Sequence, residues 1–129
     1  MNPAANDHRL RKHSDYQRVY RDSRKQFSSS MSYFYSVRGA GSANCSGPRV
    51  GLTAGRVLGK AVERNRIKRR MREAVRSHIT LLRRDVDVVL HPRRSVLTLE
   101  FSKLEKEIAR IFSSIDAVVS GPAARKEEL

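Results

Sequence analysis

A protein that breaks phosphodiester bonds with its own side chains needs carboxylates gathered around a metal, or a histidine held against an acid–base partner. Asp85 and Asp87 are the one close acidic pair beside apolar sequence, and two residues apart on an extended segment they share a face. A lone pair at a strand entrance is far more often solvated than catalytic. His8, His13, His78 and His91 have no ligand spacing such as HExxH. His78 falls on the apolar stripe of a basic helix, where a half-buried, hydrogen-bonded histidine is the ordinary outcome. The single cysteine, Cys45, has neither a histidine nor a second cysteine beside it and reads as an inert loop thiol. There is no Gly-rich phosphate loop, nucleophile elbow or dinucleotide fingerprint. No catalytic and no metal-binding residue is expected, and the side chains point to binding instead.

What they bind is indicated by residues 59–76, GKAVERNRIKRRMREAVR, with eight Lys or Arg and two Glu. Apolar residues recur at Ile67, Met71, Ala74/Val75, Ile79 and Leu82, the spacing of one helix face. At 100° per residue, Asn65, Arg69, Arg72 and Arg76 gather opposite, flanked by Arg66 and Lys68. Solvated faces usually alternate sign to gain i,i+4 pairs. Here Glu73 is the only acid between Arg64 and Arg76, so a polyanion is the natural counter-charge.

Composition agrees. The 129 residues carry 27 Lys or Arg against 13 Asp or Glu, a formal charge of +14. That suits one small domain with a polyanionic partner. No apolar run reaches the ~18 residues of a membrane span, and the N-terminus has no secretory pattern. The expectation is a soluble, cytoplasmic protein with no membrane partner.

The elements that must position the basic helix follow in order. Residues 1–12 read as a loose basic terminus, residues 13–115 as one α/β domain, and residues 116–129 as a flexible tail. Ser14-Asp15-Tyr16-Gln17 resembles a capping box opening a helix over about 15–22. Tyr16, Val19 and Tyr20 on its face are either core or a stacking surface for bases. Residues 23–30 read as a connector. Met31–Arg38 alternates as a strand, with Met31, Tyr33, Tyr35 and Val37 on one face. A Gly/Ser-rich loop, 39–48, leads to a second strand, 49–54, expected to form a hairpin with the first. The basic helix should span about 61–82, and Arg83-Arg84 should meet its C-terminal dipole. The apolar run 86–90 predicts a strand buried on both faces. Strand, helix and strand within about forty residues make a parallel βαβ unit. Ser102-Lys103-Leu104-Glu105 reads as a second capping box, before a helix with Leu104, Ile108, Ile111, Phe112 and Ile115 inside. DNA is not expected, because no second helix is set by a tight turn against the basic one. Exposed tyrosines near a basic helix suit single-stranded or irregular RNA.

The ordered run Gly59-Lys60-Ala61-Val62, Arg64-Asn65-Arg66-Ile67-Lys68-Arg69 and Arg72-Glu73-Ala74, preceded by Arg49-Val50-Gly51-Leu52-Thr53, resembles the signature of the bacterial ribonuclease P protein subunit. The early SDYQRVYRDSRK helix and the DVDVVL strand support the likeness, which covers roughly residues 8–115. The resemblance implies an α+β sandwich of the ribosomal-protein-S5-domain-2-like type. Its βαβ crossover would be left-handed, against the ~98% preference for the other hand. It implies a subunit that joins a catalytic RNA and helps remove the 5′ leader of precursor tRNA, with Mg²⁺ held mainly by the RNA. Carried over by position, Arg64, Asn65, Arg66, Lys68, Arg69 and Arg72 would contact the catalytic RNA, helped by Lys60 and Arg76. Tyr16, Tyr20 and Tyr35 would line a cleft for the single-stranded leader. Where the family commonly has two cations before the helix, this chain has Gly55-Arg56-Val57, leaving Arg56 alone. A ribosome-associated or general structural RNA-binding protein is the alternative.

Overall fold

The computed structural model describes residues 8–38 and 47–128, with side chains as far as Val119; Cys45 and most of the 39–48 loop lie outside the described residues. In chain order the elements are α1 (His13–Asp22), β1 (Gln26–Phe27), β2 (Met31–Val37), β3 (Arg49–Leu52), α2 (Ala61–His78), β4 (Val86–Pro92) and α3 (Phe101–Glu128). Single 3₁₀ turns at Arg56–Leu58, Ile79–Leu81 and Arg94–Leu97 join them.

The four strands lie in the order β1-β2-β4-β3. β2 is antiparallel to both β1 and β4, and β3 runs parallel to β4. The β3-α2-β4 unit is therefore the expected βαβ. The expected β2–β3 hairpin does not form, because β4 lies between the two strands. Val86, Val88, Val89 and Leu90 are all buried, and a strand apolar on both faces gains most at the centre of a sheet. β3 keeps an outer position. β1, inside the expected connector, is too short to carry a periodic signal.

Alternation divides the sheet into two faces. On one, Met31, Val50, Val88 and Leu90 pack with Ile67, Met71 and Ala74 of α2 and with Leu104, Ile108 and Phe112 of α3. Each large side chain buried there contributes about 1.5–3 kcal/mol. On the other face Val19 of α1 packs with Val89 and Leu10, and Tyr16, Tyr20 and Phe34 close round them.

The described residues next to both ends carry regular structure. His8–Leu10 lies parallel to β3, with the Leu10 amide donating to Val50 O (3.1 Å) and the Val50 amide to His8 O (2.7 Å). Leu10 is buried, and the segment covers an otherwise open strand edge. From residue 116 the chain continues as helix rather than as a tail. The buried Asp116 accepts from the Arg83 amide (2.9 Å) and guanidinium (2.8 and 3.0 Å), so Arg83 anchors α3 instead of capping α2. Neither capping box forms. α1 begins at His13 behind Lys12, without a side-chain cap, and Ser14 is already inside the helix. In α3 the Lys103 and Leu104 amides donate to Glu100 O, so the helix starts ahead of Ser102. The segments leading in, tied to β3 and to the 94–97 turn, set where each helix begins.

Candidate nucleic-acid interface

α2 has the two-sided character its sequence demands. Ile67, Met71 and Ala74 are buried, whereas Asn65, Arg66, Arg69, Arg72 and Arg76 are exposed and Arg64 and Lys68 half-buried. Among the described residues, no acidic side chain lies within ion-pair distance of Arg64, Arg66, Lys68, Arg69 or Arg72. The Arg64 Nε is enclosed without an acceptor there. Arg76 pairs with Glu73 one turn away, an exposed contact of a few tenths of a kcal/mol that a phosphate can displace. Lys60 and Arg56 are exposed at the helix entrance.

The acid in the first turn is spent on scaffolding. Glu63 accepts from the Lys60 amide (3.1 Å) and from both Nη atoms of Arg94 (3.1 and 2.9 Å). Arg94 also donates to Leu58 O at 2.7 Å. These bonds hold the Glu63 carboxyl down at about 2, the Arg94 hydrogen bond acting most strongly. Gly59, at φ 119°, leaves the room this lock needs, since a Cβ there would strike Arg94 and Glu63. Arg70 of α2 is turned to the fold. Its Nε donates to Val96 O (2.9 Å), its Nη2 to Leu99 O, and its guanidinium lies 5.7 Å from the Phe101 ring centroid.

Beside this face a row of partly buried aromatic side chains, Tyr16, Tyr20 and Phe34, packs between α1 and the sheet. Tyr16 sits over Gly51 of β3, its hydroxyl donating to Leu10 O (3.2 Å). Burial raises the phenol pKa, opposed by a Leu52 backbone hydrogen bond and by the charges of Arg72 and Arg9. The Arg72 guanidinium is lowered, first by burial and then by Arg9. Tyr16, Arg9 and Arg72 thus feel one another's charge, which sets the aromatic row beside the basic helix. Further along, Tyr20, Phe34 and His91 form a cluster with ring centroids 5.0–5.6 Å apart, and the Tyr20 hydroxyl is 3.0 Å from His91 Nε2.

The structure brings Tyr16 and Tyr20 together as expected but not Tyr35. Tyr35 turns to the opposite face, packs with Tyr33 against the main core, and borders a shallow pocket beside Asp22, Ser23, Arg24 and Gln26. Phe34 packs beside Tyr16 and Tyr20 instead. His91 and Arg9 also belong to this surface. Strand alternation carries the signal for Phe34, but with Tyr33, Phe34 and Tyr35 in succession it does not say which face is which.

Asp87 is fully buried and ion-paired to Arg18, Arg38 and Arg49, with Arg49 placing Nε and Nη2 2.9 Å from its two oxygens. Asp15 bridges Arg18 and Arg49 at 3.6 and 3.4 Å, and Asp85 reaches Arg38 at 3.9 Å. Carboxylates so matched by guanidinium groups hold α1 to the sheet and do not suit a divalent cation. Among the described residues no group of three His, Cys, Asp or Glu is placed to bind a metal, and no helix is long and apolar enough to cross a membrane.

Comparison with known proteins places this arrangement. A family model, Ribonuclease P, matches residues 4–116. The chain is 33% identical over 114 residues to the ribonuclease P protein component of Dictyoglomus thermophilum, covering 87% of this chain and 91% of that one. It is 31% identical over 117 residues to that of Maridesulfovibrio salexigens, covering 89% and 92%. Among solved structures, the RNase P protein of Thermotoga maritima superposes with TM-score 0.70 at 21% identity, over 82% of this chain and 96% of that one. A mutant Staphylococcus aureus RNase P protein, described as defective in mRNA degradation activity, gives 0.73 at 19%, over 88% and 92%. At those identities the structures attest the fold alone. With its signature carried on the arginine-rich face of α2 and residues 4–116 matched, the chain belongs to the ribonuclease P protein family.

Proposed function

We propose that this chain is the protein subunit of ribonuclease P, binding the catalytic RNA through α2 and the 5′ leader of precursor tRNA through the aromatic side chains beside α1. The observation that carries this reading is the adjacency of two unlike surfaces. An unpaired guanidinium face suits the phosphates of a folded RNA, and the aromatic row beside it at Tyr16 suits unstacked bases. Arg64, Asn65, Arg66, Lys68, Arg69 and Arg72 grip the RNA, with Lys60, Arg56 and Arg76 at the margins. Tyr16 and Tyr20 take the leader.

On this reading the protein contributes grip and orientation to an endoribonuclease whose bond cleavage is carried out by RNA and RNA-bound Mg²⁺ in the cytoplasm. The donor set agrees, because the acidic cluster around Asp87 is already neutralised by arginine. The test is reconstitution. The protein alone is expected to leave precursor tRNA intact, and with its partner RNA to lower the Mg²⁺ needed for leader removal; leader removal by RNA-free protein overturns the proposal. Sequencing the RNA that co-purifies separates it from a general structural RNA-binding role.

A further inference from the structure

We infer that Phe27, with Lys25 beside it, forms an additional stacking site for a base of single-stranded RNA, extending the aromatic surface at α1 across β2 to the outer edge of the sheet. The inference rests on the leader-binding reading above. Phe27 is 70% exposed, a costly place for a large apolar ring, though one exposed hydrophobic residue proves little by itself. Its surroundings give it meaning. Register pairs Phe27 with Ser32, and Ser32 with His91. Directly paired residues project from the same face of a sheet, so Phe27, Ser32 and His91 form one row on the side that carries α1.

At the inner end of that row, His91 already packs against Tyr20 and Phe34. In the middle stands Ser32, small and itself buried, so the row is continuous between the two rings. At the outer end the Lys25 ammonium lies 5.6 Å from the Phe27 ring centroid. The same charge is felt at His91, whose pKa is lowered by burial first and by Lys25 second. One cation thus serves both ends of the row, where the phosphate linking two stacked bases would lie. The loop that follows is fastened by Arg93, which donates to Ser28 O (2.8 Å) and Ser29 O (3.1 Å), so the ring is presented from an anchored strand. A face with aromatic steps at Tyr16, Tyr20 and Phe27, lined with cations, matches a single strand crossing the sheet from β3 towards β1.

The test uses the whole protein and labelled oligoadenylates of increasing length. Phe27→Ala is expected to weaken binding roughly tenfold, the size of one lost stack, once the strand is long enough to pass His91. The shortest strands should bind as before. Phe27→Trp should restore the affinity. Because the chain has no tryptophan, the emission of that variant reports the site directly and should be quenched by RNA. Unmoved emission at saturating RNA, or parental binding by Phe27→Ala at every length, overturns the inference. Tyr20→Ala distinguishes the two readings: loss there without loss at Phe27 overturns the extension alone, and no loss at either removes the aromatic surface at α1 as a binding site.

Discussion

The phenol ring of Tyr16 rests directly on the backbone of Gly51, so closely that a Cβ at residue 51 would come 2.6 Å from Tyr16 Cζ. The glycine is what lets α1 settle against β3 and brings Tyr16 beside the basic helix. Gly51→Ala should therefore cost about 1–3 kcal/mol, the usual range for overpacking, read from denaturant midpoints. In a Tyr16→Ala background the same change should cost little. Equal cost in both backgrounds would locate the strain elsewhere.

The arginines of α2 should separate by experiment as they do by geometry. Arg69→Ala with Arg72→Ala is expected to reduce the slope of log K against log salt by about 0.7–0.9 per lost phosphate contact, with thermal stability nearly unchanged. Arg70→Ala should do the reverse, losing about 2 kcal/mol of stability with its two carbonyl contacts while the salt slope holds. Salt titrations alongside thermal melts make the comparison.

Phe34 and Tyr35 are neighbours on opposite faces, and of the two only Phe34 packs with Tyr16 and Tyr20 beside α1. Phe34→Ala is expected to weaken precursor tRNA binding by about 1–3 kcal/mol relative to mature tRNA. Tyr35→Ala should lower stability and leave the precursor-to-mature ratio alone. The ratio of the two dissociation constants is insensitive to a partly unfolded fraction, which makes it the deciding measurement.

Acid should loosen the entrance to α2. The Glu63 carboxyl titrates at about 2 in the folded chain against an ordinary 4.5. A depressed carboxyl pKa contributes stability in full above the unfolded value and loses it as pH falls through the folded one. Glu63→Gln should accordingly be less stable than the parent at neutral pH, with the gap closing between about pH 4.5 and pH 2. Urea midpoints across that range check it, and a gap independent of pH would assign the effect to packing.

Asp87 offers the test of a purely structural carboxylate. Asp87→Asn leaves Arg18, Arg38 and Arg49 without their shared charge and should destabilise by about 3–5 kcal/mol. Processing by the fraction that remains folded should match the parent, measured by active-site-independent counting of folded protein in reconstituted enzyme. A loss of turnover at full folding would give this aspartate a role in the chemistry.

Much of this protein is decided locally and could be read from its residues. The period of 3.6 along α2, with arginines on one side and Ile67 and Met71 on the other, fixes both the helix and its two faces, because those are properties of consecutive residues. The unbroken run Val86–Leu90 likewise announces a central strand, and the βαβ unit follows from the spacing. What the chain could not show by itself depends on partners distant in sequence. β4 enters between β2 and β3 because a strand apolar on both faces gains most there, and that competition is settled only when all strands are present. Tyr35 and Phe34 exchange roles through strand alternation, whose phase is set by pairing with Val88 and Val89 and not by the aromatic run itself. Arg70 turns to the fold, away from the other α2 arginines, because Val96 and Leu99, some thirty residues away, present carbonyls to it. The helix starts moved for the same reason, since anchored segments overrode the local capping pattern. Local periodicity thus determined the longer elements and where the charge lies; long-range packing added β1 and decided which side chains share a surface.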